Sequence, residues 1–177
     1  SRRGTPVLKI SSTIGYRGGV VQKMPDFPEM MKTALSDAII LYHRKFLPHH
    51  FGTLGQVESL YPGIYKARDK HYMKRKARLQ GHQNMLMWSG KSAMGVLSQI
   101  SITGTHEEAK GRMKGANRNF NFSGVDKTGR VKPMMNVELL YTNKEEGQEQ
   151  AEIVDKHVQE FLDKDTPVEM LELGWIG

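Results

Sequence analysis

The stretch DFPEMMKTALSDAIILYHRKFLP, Asp26 to Pro48, decides the fold class. Phe27, Met31, Leu35, Ala38, Tyr42 and Phe46 recur at spacings of four, four, three, four and four. A 3.6-residue period brings these positions onto one face, so the spacing predicts a long amphipathic helix from Asp26 to Leu47. Asp26 can cap it, Pro28 and Glu29 suit its first turn, and Pro48 stops it. So regular an apolar stripe reads as core rather than as a cofactor pocket.

Toward the N-terminus, Pro6, Val7, Leu8 and Ile10 precede breaks at Gly15 and Gly18-Gly19, then Val20-Val21. Two short strands or an arm both fit residues 1–25. Past the helix, residues 49–65 read as irregular, with Gly52, Gly55 and a type II turn at Tyr61-Pro62-Gly63. Tyr65 to Gln80 has no breaker and can be helical until Gly81. Ser98 to Thr103 alternates, with Ile100 and Ile102 on one face, as a half-buried strand does. Lys110 to Lys114 suits its partner. Residues 115–130 read as a long Asn/Gly/Ser-rich loop. Met135, Val137, Leu139 and Tyr141 alternate again and predict a third strand.

The last element is a helix. Thr142-Asn143-Lys144-Glu145 has the spacing of a capping box. Ala151, Val154, Val158 and either Phe161 or Leu162 then make its apolar face, and it should end near Lys164, before Pro167. Glu145, Glu146 and Glu149 complement the helix dipole. The expected fold class is α+β: a small antiparallel sheet packed by a long helix in the N-terminal half and a C-terminal helix. One domain spans 26–163, with a basic insertion at about 49–84. In the tail, 164–177, Val168, Met170, Leu171, Leu173, Trp175 and Ile176 form an apolar surface that calls for a docking partner, in cis or on a neighbouring subunit.

Composition sets outer bounds. The 177 residues are 38% hydrophobic and 25% charged, enough for one core. Mean hydropathy is −0.54, and no apolar run approaches the roughly 18 residues a membrane span needs. There is no cysteine, which excludes disulfides and thiolate metal sites. Ser1 to Pro6 lacks the apolar stretch of a secretory signal, so synthesis in the cytoplasm is expected.

The net charge of +7 is unevenly spread. Residues 143–177 carry three lysines and ten acids, a net of −7, which leaves +14 on residues 1–142. From Lys66 to Lys91 there are eight basic side chains and one acid, Asp69. Such a block is either a solvated face or a surface for nucleic acid or an acidic protein. Tyr65 and Tyr72 interleave with the bases, as phosphate attraction plus stacking requires, yet no RRM, KH or zinc-finger pattern accompanies them.

The catalytic and ligand motifs fail on inspection. Gly90-Lys91-Ser92 resembles the end of a phosphate-binding loop, but Met85 stands where that loop needs glycine. The seven histidines contain no i, i+4 pair beside a glutamate. No G-x-S-x-G occurs. No enzyme, cofactor or metal is therefore expected.

Three landmarks, in order, resemble phage virion morphogenesis proteins of the tail-completion, or head-tail joining, type. Tyr65 to Lys76 is similar to that family's aromatic-x-x-Arg, then Tyr-x-x-basic-Lys segment. Gly81 to Gly90, with Leu86, Trp88, Ser89 and Gly90, is similar to its Gly, spacer, Leu-x-Thr-Gly turn, serine replacing threonine. Lys132-Pro133-Met134 before a capped helix is similar to its Arg-Pro-aromatic segment, lysine replacing arginine. The likeness covers roughly residues 27–163.

That resemblance implies a structural virion protein of the phage neck, put together in the host cytoplasm. Its copies would form a ring, commonly six-fold, that completes the tail tube and meets the head connector, with genomic DNA passing through. A head-completion adaptor or stopper is the neighbouring reading; a nucleic-acid-binding protein is the other. The expected partner-binding residues are Lys66, Arg68, Lys70, Lys74, Arg75, Lys76 and Arg78 of the basic block, docking on an acidic surface such as the last helix of an adjacent copy. Phe120 and Phe122 of the long loop, and Trp175 of the tail, complete the set. No membrane partner is expected.

Overall fold

The computed structural model describes residues 7–11, 26–87, 90–114 and 135–165. Strands β1 (Val7–Ser11), β2 (Gln99–Gly104) and β3 (Glu108–Lys114) form an antiparallel sheet in the order β1-β3-β2. Its register pairs Lys9 with Lys110, and Ile102 with Gly111. Leu8, Ile10, Ile100, Ile102, Ala109 and Met113 share the inner face and pack into the core. Lys9, Lys110 and Arg112 point outward and are exposed. Glu108 bridges Lys110 and Lys9, and these two ammonium groups hold its carboxyl below the usual range.

Helix α1 (Phe27–Leu41) crosses the inner face of the sheet. All six residues of the sequence stripe are buried, and Ala34 and Ile39 join them. This wider buried surface follows from α1's place between the sheet and helix α6 (Lys144–Asp165). Gly111 permits the close approach to the sheet, because a Cβ there would lie 2.6 Å from Ile39 Cγ2 and 2.8 Å from Ile100 Cδ1. On the other flank Phe27 meets Phe161 edge-on at 5.8 Å, so the apolar face of α6 closes through Phe161, while Leu162 is 40% exposed.

After Leu41 the chain stays helical but changes pitch. Residues Tyr42–Phe46 form a turn of π-helix and Leu47–Phe51 a 3-10 helix. Pro48 stands in the first turn of the latter, where its missing N–H costs nothing. Tyr42, His43, Phe46, Leu47, His50 and Phe51 are all buried.

Three expectations need correction. Residues 54–60 are not irregular: Leu54–Leu60 is helix α2, opened by a capping box between Thr53 and Gln56. Residues 135–141 are not a strand: Met135–Leu140 is helix α5. Glu138 and Leu139 are buried there and Val137 is 47% exposed. The inward face includes a glutamate, which a count of apolar residues reads as outward, and the accidental alternation of Met135, Val137 and Leu139 then wins. Finally, the capping box of α6 lies one residue later than expected. Asn143 Oδ1 accepts the Glu146 N–H at 2.9 Å, and Glu146 Oε2 accepts the Asn143 N–H at 3.2 Å.

The remaining helices are α3 (Lys70–Gln80) and α4 (Lys91–Ser98). Ala93 and Val96 of α4 pack on the sheet core. The long loop at 115–130, the tail after Asp165 and most of the arm lie outside the described residues.

Candidate assembly surface

The basic helix α3 forms because nine straight-chain or small residues run without a breaker between two good caps. Asp69 Oδ1 accepts the Tyr72 N–H at 2.9 Å, and Gly81, at φ +72°, takes the left-handed C-cap that glycine favours. The helix carries five basic side chains and no acidic one. Lys70, Lys74, Arg75 and Arg78, with Lys66 just before, are exposed. His71, Lys74, Arg75 and Arg78 fall within about 100° of arc, so they make one stripe.

Arg68 and Lys76 have another fate. Arg68 holds the buried Glu138 carboxylate through two parallel bonds, at 2.9 and 2.5 Å, and donates to the Lys66 carbonyl at 2.7 Å. The Lys66 N–H completes the cradle at 3.1 Å. Fork-on-fork pairing of this kind is the strong form of an ion pair. Lys76 is 2% exposed, and its Nζ donates to the Asn84 carbonyl. Burial, with Arg68 nearby, lowers its pKa to about 8. Both residues anchor α3 to the body instead of presenting charge. Of the ten residues expected to bind partners, five are therefore exposed cations and two are anchors. Phe120, Phe122 and Trp175 lie outside the described residues.

Helix α6 presents the opposite charge. Its eight acids outnumber its three lysines. Glu145, Glu152, Asp155 and Asp163 are exposed and share one stripe, turned away from Val154, Val158 and Phe161. Glu149 pairs with Lys45, and Glu146 is buried.

Between the two helices lies a polar core that the sequence did not disclose. His50 is fully buried, stacked on Tyr61 at 4.3 Å. The Tyr42 hydroxyl donates to the Leu139 carbonyl at 2.6 Å, so His50 Nε2, 3.3 Å from that oxygen, is the donor toward it. His50 Nδ1 is then the acceptor for the Tyr65 hydroxyl at 2.6 Å. Tyr65 also lies 3.1 Å from the Glu138 carbonyl, and Tyr61 donates to Glu146 Oε1 at 2.6 Å. Burial lowers the His50 pKa to about 4 and pushes all three tyrosines upward. The cluster satisfies the last carbonyls of α5, which no helix can satisfy itself. The imidazole and the three phenols are neutral, paired and enclosed, which is the chemistry of a structural lock. A spacing signal existed, since His50, Tyr61 and Tyr65 fall eleven and four apart, but no general rule turns it into a network.

Two open grooves lie on the surface of the described residues. One, of about 430 Å³, runs between α1 and α6, where His157 Nε2 lies 2.9 Å from Asp37 Oδ2 beside Arg44 and Lys156. The other, of about 620 Å³, lies along the 47–51 turn and α2. Among the described residues no group of three or more His, Asp or Glu side chains could hold a metal ion, and no helix is long and apolar enough to cross a membrane. No family model, curated protein or solved structure matches the chain.

Proposed function

We propose that this chain is a structural subunit that assembles head to tail, the exposed basic stripe of α3 docking on the exposed acidic stripe of α6 in the next copy. The observation that carries this reading is the separation of the two stripes onto different helices, each turned outward. A contact between two unlike surfaces closes into a ring when the rotation per subunit allows. Opposite charge speeds and orients such docking more than it strengthens it. Together with the resemblance of Tyr65–Lys76, Gly81–Gly90 and Lys132–Met134, this supports a ring in the neck of a tailed phage. That ring would complete the tail tube against the head connector, with DNA passing through; an adaptor or stopper ring is the nearest alternative.

The test is charge reversal with rescue. Lys74→Glu/Arg75→Glu/Arg78→Glu should abolish assembly seen by sizing. Mixing that chain with Glu152→Lys/Asp155→Lys/Asp163→Lys should restore it. Assembly of the unaltered chain should slow from about 50 to 500 mM salt, because the screening length falls several-fold. Salt-independent assembly, or no rescue, rejects the charge-led contact. A gel shift with DNA at physiological salt and no self-association would favour the nucleic-acid reading instead. Absence of the chain from purified virions would reject the neck assignment.

A further inference from the structure

The sheet has one covered face and one open face. Helix α1 crosses the inner face, while the outward positions Lys9, Gln99, Thr103, Lys110 and Arg112 are exposed. Lys9 lies opposite Lys110, and Lys110 opposite Thr103, so one row of three side chains crosses all three strands. The next row along β3 sets Arg112 opposite Ser101. Strands lie about 4.8 Å apart and alternate residues about 6.8 Å apart, so Lys9, Lys110 and Arg112 stand in one patch.

Folding does not account for these charges. Like charges directly opposite each other on a sheet are destabilising. Glu108 relieves Lys9 and Lys110 together, while Arg112 has no carboxylate partner among the described residues. Three cations against one carboxylate leave the patch a net charge of +2. The next copy does not supply the counter-charge either. In the contact proposed above, the exposed acids Glu145, Glu152, Asp155 and Asp163 of α6 already face the five exposed cations at and before α3.

The chemistry of the face selects among other polyanions. Ammonium, guanidinium, hydroxyl and amide groups all donate to phosphate oxygens. No aromatic ring stands among the described outward residues, so unpaired bases find nothing to stack on. A three-stranded face is too broad for a groove that admits a two-stranded ribbon, so it meets the backbone instead of base edges. Duplex DNA carries one negative charge per about 1.7 Å of axis, dense enough to meet all three cations at once.

We infer that the open face of the sheet, through Lys9, Lys110 and Arg112, holds the phosphate backbone of double-stranded DNA without reading its sequence. The choice of DNA over a neighbouring copy rests on the α3–α6 contact proposed above. Each chain offers few contacts, so assembled copies grip one duplex together.

The experiment titrates full-length chain against a labelled duplex of random sequence, read by fluorescence anisotropy from about 50 to 200 mM salt. Each phosphate contact contributes about 0.9 to the slope of log K against log salt. Lys9→Gln/Arg112→Gln should lower that slope by about 1.8 for every copy in contact. Circular dichroism, melting and sizing should not change, because both side chains are exposed and Lys110 stays with Glu108. No duplex binding at the lowest salt, or a slope that ignores the double substitution, would overturn the inference. So would tighter binding of the matching single strand, or displacement of the duplex by poly-glutamate as readily as by unlabelled duplex at equal charge. If assembly answers to α3 charge reversal while the slope ignores the sheet substitutions, only the DNA assignment fails. If α3 reversal leaves sizing unchanged while the sheet substitutions still lower the slope, only the charge-led contact fails.

Discussion

The molecule has two cores built on opposite principles. In one, α1 lies between the sheet and α6, and contact is apolar from Leu8 through Ile39 to Phe161. In the other, α2, α5 and the root of α3 meet around His50, Tyr61, Tyr65, Glu138 and Arg68, where hydroxyls, an imidazole, a carboxylate and a guanidinium are all satisfied in the dark. The apolar core asks for volume but not for direction, because burial has no direction. The polar core asks for direction, since an unpaired buried group costs more than its bond contributes. The difference teaches where the fold is specified: the sheet and α1 make it stable, while the polar core fixes where α3 stands.

The largest effect should come from breaking the ion pair of the polar core. Arg68→Ala leaves Glu138 2% exposed and without its counter-charge. Loss of one partner of a buried pair typically costs about 3–5 kcal/mol. Urea unfolding should show a loss of that order. A loss under about 1 kcal/mol would mean that Glu138 takes up a proton or reaches water, and that the two cores differ less than described.

Acid should distinguish the cores next. His50 has a folded pKa of about 4 against 6.5 for the unbound side chain. Its folded value is depressed, so its stabilisation is complete above pH 6.5. It is lost as pH falls toward 4, while the unfolded chain takes up a proton that the folded chain refuses. The shift amounts to about 3 kcal/mol by linkage. Unfolding free energy measured from pH 7 to 4 should fall by roughly this amount, and His50→Asn should flatten the slope. The Phe27–Phe161 contact has no titrating group and predicts no such dependence.

The apolar core should answer to volume instead. Gly111→Ala puts a methyl group 2.6 Å from Ile39 Cγ2, and overpacking of this kind costs about 1–3 kcal/mol. Ile39→Ala in the same chain should recover part of it, a non-additivity that a double-mutant cycle reads directly. Additive losses would show that the helix shifts as a body rather than at this contact.

The same contrast explains what was legible in the sequence. Met31, Leu35, Ala38 and Tyr42 announce α1 because burial there is apolar and periodic. Ile100 and Ile102 announce β2 for the same reason, and Gly81 marks where α3 ends; its start at Lys70, capped by Asp69, falls five residues later than the unbroken stretch from Tyr65 suggests. The polar core was silent. Glu138 faces inward only because Arg68, 70 residues away, neutralises it, and the alternation of 135–141 therefore reads as a strand where α5 stands. Tyr65, Arg68 and Lys76 read as part of a binding block because their types match its exposed members. Nothing local separates Lys76 from Lys74; the Asn84 carbonyl does.

That pair of lysines gives the smallest and sharpest test. Lys74 and Lys76 are two residues apart on one helix and chemically identical. Lys74 is exposed, so Lys74→Met should change stability by less than about 0.5 kcal/mol while slowing assembly. Lys76→Met removes the donor from the Asn84 carbonyl, leaving a part-buried acceptor unpaired, at about 1–3 kcal/mol. Its effect on assembly should be only what the loosened seat of α3 allows. Stability and assembly thus move in opposite order for the two substitutions. Equal losses in both measurements would mean that α3 owes its position to its charge as a whole, and the division between anchoring and docking cations would have to be abandoned.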